Sequence, residues 1–365
     1  MKSKVKNIIV TVLFAVIIGA GFLLCLFVPK ETYSESERRK LAQMPAFTKD
    51  AVFSGRFTRD FESYTLDGFP FRDAWRRIKA ETNKNVFFRQ DNNVVYEADG
   101  FLSALQYPMN EESLDHAVSR FRYFADKYLG NANHIYVSVI PDKNAFLAAP
   151  SGHPAMDYPL FEKTFYEKMD FATPIVISDL LERDDYYFTD THWRQERIPD
   201  VADRLASGMG ATLTGTYTEK TLDRGFYGVY YGQAALPMPP EEMHYLTNDI
   251  LEGAVVHDLQ NNREISVYDM ERAHGTDPYE MFLGGPLSLV TIENPAGPEG
   301  KRLVIFRDSF GSSITPLLLS GYSEIVLCDT RYVQPDVLGK MVDFEGADVL
   351  YLYSTMVLNN SEMLK

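Results

Sequence analysis

The chain opens on an uncharged apolar run at residues 8–28, preceded by Lys2, Lys4 and Lys6. Residues 31–83 are charged and interrupted. Within them Phe57, Phe61 and Tyr64 recur at helical spacing up to the stop signal Asp67-Gly68-Phe69-Pro70, and residues 72–84 form a second amphipathic pattern with Trp75 and Ile78. After residue 86 the pattern alternates. Short runs rich in Val, Ile, Leu or Tyr at residues 134–140, 174–178, 302–306, 324–328 and 349–353 read as buried parallel strands. Helical periodicity lies between them at residues 112–128, 158–169, 196–207, 314–320 and 336–344. This alternation predicts an α/β fold, a parallel sheet with helices on both faces.

Residues 213–289 break the rhythm. They are rich in Tyr and Gly, as in Gly225-Phe226-Tyr227-Gly228-Val229-Tyr230-Tyr231-Gly232, and carry turns at Pro237 and Pro239-Pro240. They read as a β-rich insert. The organisation predicted is a cytoplasmic N-terminus at residues 1–7, a transmembrane anchor at 8–28, a helical juxtamembrane stalk at 29–85 that packs on the main domain, and an α/β domain at 86–365.

The apolar run is 21 residues long, and about 20 are needed to cross a bilayer. The lysines ahead of it put the N-terminus in the cytoplasm and the rest outside. No Ala-x-Ala site follows, and Phe22-Leu23-Leu24 before Cys25 lacks the small residue of a lipoprotein signal. An uncleaved, single-pass anchor is therefore expected, with a cleaved signal peptide as the alternative.

With 45% hydrophobic and 13% aromatic residues the chain can build a sizeable core. Its formal charge of −15 disfavours nucleic acid as a partner. Two cysteines, Cys25 and Cys328, rule out a disulfide framework and a cysteine-built zinc site. The seven histidines show no recurring ligand spacing, so no metal and no cofactor are expected.

One histidine stands two residues after an aspartate in a polar, turn-like segment, Asp190-Thr191-His192-Trp193. In extended backbone those two side chains point the same way, and a carboxylate behind an imidazole makes a general base near neutral pH. The same spacing suits a surface aspartate beside a structural histidine. A second segment, Arg307-Asp308-Ser309-Phe310-Gly311-Ser312-Ser313, follows an apolar strand and precedes a helix. Ligand sites of parallel sheets gather at such strand ends, and N–H groups of the turn after a serine can hold an oxyanion. Asp308, Ser309, Ser312 and Ser313 are equally good helix caps.

Together with Asp329-Thr330-Arg331-Tyr332 and Val349-Leu350-Tyr351-Leu352-Tyr353-Ser354-Thr355, these segments resemble the DHHW family of Gram-positive bacteria. That family is similar to the SGNH-hydrolase-like domain of the alginate O-acetylation proteins. The resemblance implies an SGNH-like domain outside the membrane, with Ser309 as nucleophile, His192 as base and Asp190 as orienter. Thr191 replaces the family's second His, and Arg307 stands where SGNH enzymes usually have Gly. No residue matches the Gly and Asn oxyanion donors of other SGNH enzymes by motif; Asn359 and Asn360 are the asparagines near the last strand. Arg331 and Lys143, both at strand ends, and the aromatic Trp193 are candidate substrate contacts. The function so implied is transfer of an acyl group, acetyl in the first instance, to a cell-envelope or exported polysaccharide, with a membrane-embedded acyl-transfer partner. A carbohydrate esterase with the same triad and a non-catalytic glycan-binding scaffold stay open.

Overall fold

The computed structural model describes residues 2–130 and 133–365. The chain forms two units: one runs to Asn92 and includes Ala235–Pro237, the other comprises Asn93–Ala234 and Met238–Lys365.

In the first unit the apolar run is a single helix, α1 (Lys2–Phe27), long and apolar enough to cross a membrane and unburied along its length. The two amphipathic patterns are helices α2 (Arg56–Asp67) and α3 (Arg72–Asn85). Phe57 and Phe61 stack with ring centroids 5.8 Å apart, which is the spacing read in the sequence. Asp67 ends α2 in an ion pair with Arg39 at 2.6 Å and also accepts from Ala42 N. The Arg39 hydrogen bond holds its carboxyl down to about 2.

The second unit is built on an eight-stranded sheet: β1 (His134–Ile140), β2 (Thr173–Pro174), β3 (Val255–Asp258), β4 (Arg263–Ile265), β5 (Leu289–Glu293), β6 (Arg302–Arg307), β7 (Glu324–Cys328) and β8 (Asp348–Ser354). Their spatial order is β4-β3-β5-β7-β6-β8-β1-β2. The run from β7 to β2 is parallel, and β5, β3 and β4 extend it antiparallel. Alternation along the central strands feeds two cores. Leu303 and Ile305 pack with Leu350, Leu352 and the helices α6 (Pro199–Gly208) and α7 (Phe310–Leu318), while α4 (Glu111–Tyr128) and α5 (Tyr158–Lys168) cover the opposite face. There Val304, Phe306, Val349 and Tyr351 meet Leu114, Phe121, Phe124 and Phe165. Each central strand is buried on both sides, which is why it reads as a continuous apolar run.

The α/β architecture expected from the sequence is thus present, with differences at element ends. The strand expected at 174–178 shrinks to Thr173–Pro174, with one further backbone bond from Ile175 N to the Val137 carbonyl at 2.8 Å; Pro174 itself has no N–H to offer a ladder. The helix expected at 196–207 starts at Pro199, after a short 3₁₀ turn at Gln195–Arg197. The helix expected at 314–320 starts four residues earlier, at Phe310. Residues 213–289 hold short strands and short helices, and β3 and β4 from this stretch join the main sheet beside β5.

Candidate active site

The site forms at the carboxyl ends of β6, β8 and β1. β6 runs out at Arg307, and the next carboxylate, Asp308, bridges two neighbours. It accepts from Phe310 N at 3.0 Å and from Ser354 N, at the end of β8, at 2.8 Å. Asp308 therefore ties the start of α7 to the adjacent strand. Ser309 occupies the capping position of α7 with φ −61° and ψ −25°, yet its side chain makes no capping bond. Its Oγ lies 2.6 Å from His192 Nε2 instead. The capping role that the sequence left open for Ser309 is not the one its hydroxyl takes.

His192 Nδ1 lies 2.6 Å from Asp190 Oδ1, which also accepts the His192 backbone N–H at 3.1 Å. Asp190 Oδ2 accepts from Val229 N at 2.8 Å. A carboxylate at Nδ1 makes that nitrogen the donor and leaves Nε2 with a lone pair for the Ser309 hydroxyl proton. The imidazole is fixed by packing as well. Tyr279 stacks on it in parallel, centroids 3.8 Å apart, and Phe310 lies 4.9 Å away. Asp190 and His192 are buried while Ser309 is half-buried, so the hydroxyl is the part of the array that an incoming molecule reaches.

Two buried ionisable side chains hold the loop that carries Asp190 and His192. Glu241 accepts from Phe188 N at 2.6 Å, from Thr189 N at 2.8 Å and from Thr189 Oγ1 at 2.7 Å. Lys143 Nζ donates to the carbonyls of Tyr187 at 2.7 Å and Phe188 at 3.2 Å. The loop's N–H groups thus face a carboxylate and its carbonyls face an ammonium. Burial pushes the Glu241 carboxyl up and pulls the Lys143 ammonium down to about 7; nearby, burial raises Asp142 to about 6. A third support comes from Gly228, whose N–H donates to Thr189 Oγ1 at 2.8 Å. A Cβ on Gly228 would fall 2.2 Å from the Asp190 Cα, so only glycine permits this approach.

The structure brings Asp190, His192 and Ser309 into one hydrogen-bonded line, and it corrects other expectations. Trp193 has no exposed surface; its Nε1 donates to Ser313 Oγ at 2.8 Å, so it cannot offer a face to a substrate. Lys143 is likewise enclosed, its ammonium committed to the loop carbonyls. Arg331 is mostly buried and forked onto Asp329 through Nε at 2.9 Å and Nη2 at 2.6 Å, so its guanidinium is committed to that carboxylate. Arg307 is fully buried, donating to the carbonyls of Gly285 and Leu287 rather than toward Ser309. The N–H groups expected to serve an oxyanion are engaged, Phe310 N by the Asp308 carboxylate and Gly311 N by the Asp308 carbonyl at 3.1 Å. Asn359 holds Pro108 and Asn110, and Asn360 donates to the Met356 carbonyl.

Sequence reasoning missed Glu241, Gly228, Val229 and Tyr279. All four lie in the stretch read as an insert. The one signal for them was the close run of glycines at 225, 228 and 232, which marks a turn and a short helix, Val229–Ala234, rather than a strand. Among the described residues no three His, Cys, Asp or Glu side chains gather so as to hold a metal ion.

No protein-family model and no curated protein matches the chain. Among solved structures it is similar to a DHHW family protein from Eubacterium siraeum, with 22% identity over 75% of this chain and 95% of that one and a TM-score of 0.61. It is also similar to PatB1 of Bacillus cereus carrying a sulfonyl adduct, with 15% identity over 73% and 97% of the two chains and a TM-score of 0.57. The O-acetyltransferase domain of Pseudomonas putida AlgJ aligns at 12% identity over 73% and 92%, with a TM-score of 0.44. A DHHW family protein is thus a structural neighbour, as the motif-bearing residues led us to expect, and the likeness is one of fold.

Proposed function

We propose that the protein transfers an acyl group, acetyl in the simplest case, to a hydroxyl of a cell-envelope or exported polysaccharide through Ser309, His192 and Asp190. The observation that carries this reading is the Ser309 hydroxyl, set where a helix cap would be but bonded to His192 Nε2 at 2.6 Å. A half-buried serine against an oriented imidazole is the arrangement of an activated nucleophile. The sulfonyl adduct in the PatB1 neighbour is in keeping with a reactive group on this fold.

In the first step Ser309 Oγ attacks the carbonyl carbon of the acyl donor while His192 Nε2 takes its proton. Asp190 stabilises the imidazolium, and the proton passes to the leaving group as the donor departs. In the second step a sugar hydroxyl gives its proton to Nε2 and attacks the acyl carbon. The acyl–Ser309 bond breaks and the proton returns to Oγ. With the turn N–H groups engaged by Asp308, the Ser309 backbone N–H serves as oxyanion donor. The helix α1 remains as an anchor, its lysine-flanked end in the cytoplasm, so Ser309 works outside the membrane. The acyl donor then comes from a membrane-embedded partner, and the 29–85 segment acts as the stalk between them.

The test uses the full chain in detergent with an activated acetyl ester, with and without envelope oligosaccharides. Acetylated oligosaccharide that disappears in Ser309→Ala is the expected result. Free acetate at an unchanged rate with no acetylated sugar identifies an esterase, and glycan binding with no ester turnover identifies a binding scaffold.

A further inference from the structure

We infer that the aromatic face at the start of α3, formed by Phe69, Phe71 and Trp75, seats in the interfacial layer of the bilayer that α1 crosses. The inference rests on the reading of α1 as a membrane span. These side chains are 46%, 66% and 53% exposed, and Ile78, one turn further along the same face, is 54% exposed. Phe71, Trp75 and Ile78 follow the i, i+4, i+7 spacing of one helical stripe. The opposite face is the packed one: Ala80 is fully buried, and Arg72 and Arg76 pair with Glu37. An apolar stripe left bare while its reverse is packed calls for an apolar occupant.

The identity of that occupant follows from where the stripe begins. Lys30, three residues past the end of α1, lays its Nζ 3.7 Å over the Tyr64 ring of α2. A Cβ on Gly68 would fall 2.7 Å from the Lys30 side chain. Val28, Pro29 and Lys30 line a cavity of about 410 Å³ together with residues 67–74. The junction of α2 and α3 is therefore clasped to the point where the span leaves the membrane. From Phe71 to Trp75 is about 6 Å of helix, within the roughly 5–8 Å depth of a headgroup layer. Aromatic side chains favour that depth because their rings are part apolar and part polar. α3 also carries five Lys or Arg against Asp73 and Glu81, and even with Arg72 and Arg76 paired to Glu37 the segment keeps an excess of positive charge that suits anionic headgroups. Phe71 is held at φ 59°, a left-handed conformation that a bulky residue rarely takes, and it turns the ring out at this junction.

The chain has two tryptophans, and the other, Trp193, is fully buried. The difference in emission between wild type and Trp75→Phe therefore reports on Trp75. The full chain is reconstituted into phosphatidylcholine–phosphatidylglycerol vesicles with lipids brominated high in the acyl chain. The expected result is that this difference emission falls by about half or more in brominated bilayers and is shielded from aqueous iodide. Resistance of the protein to alkaline extraction is measured in the same vesicles and reports on α1 alone. A protein that resists extraction while Trp75 is quenched by iodide and not by bromine overturns the inference and leaves the anchor standing. A protein that is extracted overturns both. Shielding of Trp75 that appears only when other membrane proteins are added places a protein on this face and overturns the bilayer as its occupant.

Discussion

Glu241 is the support whose removal has the most calculable effect. Glu241→Gln keeps the shape of the side chain and one carboxyl oxygen. If that oxygen stays with Thr189, an amide NH₂ faces the Phe188 N–H across a gap that was a 2.6 Å hydrogen bond. A buried N–H left without an acceptor costs about 1–3 kcal/mol, and the two surviving bonds lose their charge assistance, about 1 kcal/mol more. Against this, the neutral amide escapes the desolvation that pushes the Glu241 carboxyl up. The losses sum to about 2–4 kcal/mol and the net after this offset is about 1–3 kcal/mol, or roughly 2–10 °C in Tm for a domain of this size. The displaced loop carries Asp190 and His192, and an error of about 1 Å in a reacting group can cost about 10²-fold in rate. The assay is calorimetry of the full chain beside the rate at which a sulfonyl fluoride modifies Ser309, followed by peptide mass spectrometry. Glu241→Gln is expected to lower both, and Ser309→Ala to abolish modification while leaving Tm nearly unchanged. A Glu241→Gln protein with Tm within about 1 °C of wild type and unaltered modification would refute the clamp.

Gly228→Ala places a methyl 2.2 Å from the Asp190 backbone, so modification of Ser309 should slow by about 10²-fold, measured by the same mass spectrometry. Trp193→Phe removes the hydrogen bond to Ser313 and leaves a cavity in the core, which should together cost about 2–4 kcal/mol in denaturant unfolding and leave the KM for an ester substrate unchanged. For Lys143 the folded pKa is about 7, lowered chiefly by burial, whereas an unfolded lysine holds its proton to about 10.4. Between these values the unfolded chain binds more protons, so stability rises with pH; below pH 7 both states are protonated and the contribution is flat. Thermal melts from pH 6 to 10 should show the wild type gaining on Lys143→Met above pH 7, and a constant difference across that range would contradict the assignment.

The parallel core was legible because its strands are buried on both faces. A run such as Leu303-Val304-Ile305-Phe306 has no polar position to disguise it, and its ends were read within a residue. The convergence of Asp190, His192 and Ser309 was legible because short-range spacing and a strand-to-helix turn marked them as candidates and the family resemblance joined the two segments. What lay beyond reach depends on contacts distant in the chain. Glu241 meets Thr189 from 52 residues away, and Tyr279 meets His192 from the same irregular stretch. Nothing periodic marks either residue. Trp193 and Lys143 misled because a side chain near a motif was taken to face the same space as the motif. Burial turns Trp193 into the core and Lys143 onto its own loop.

The central claim, that Ser309 is a nucleophile activated by His192, meets its most direct test in covalent capture. The full chain is treated with methanesulfonyl fluoride at neutral pH and digested for mass spectrometry. The account predicts a single adduct on Ser309, absent in Ser309→Ala and formed at least about 10²-fold more slowly in His192→Ala. An adduct on another residue, or an equal rate of capture at Ser309 without the imidazole, would contradict it.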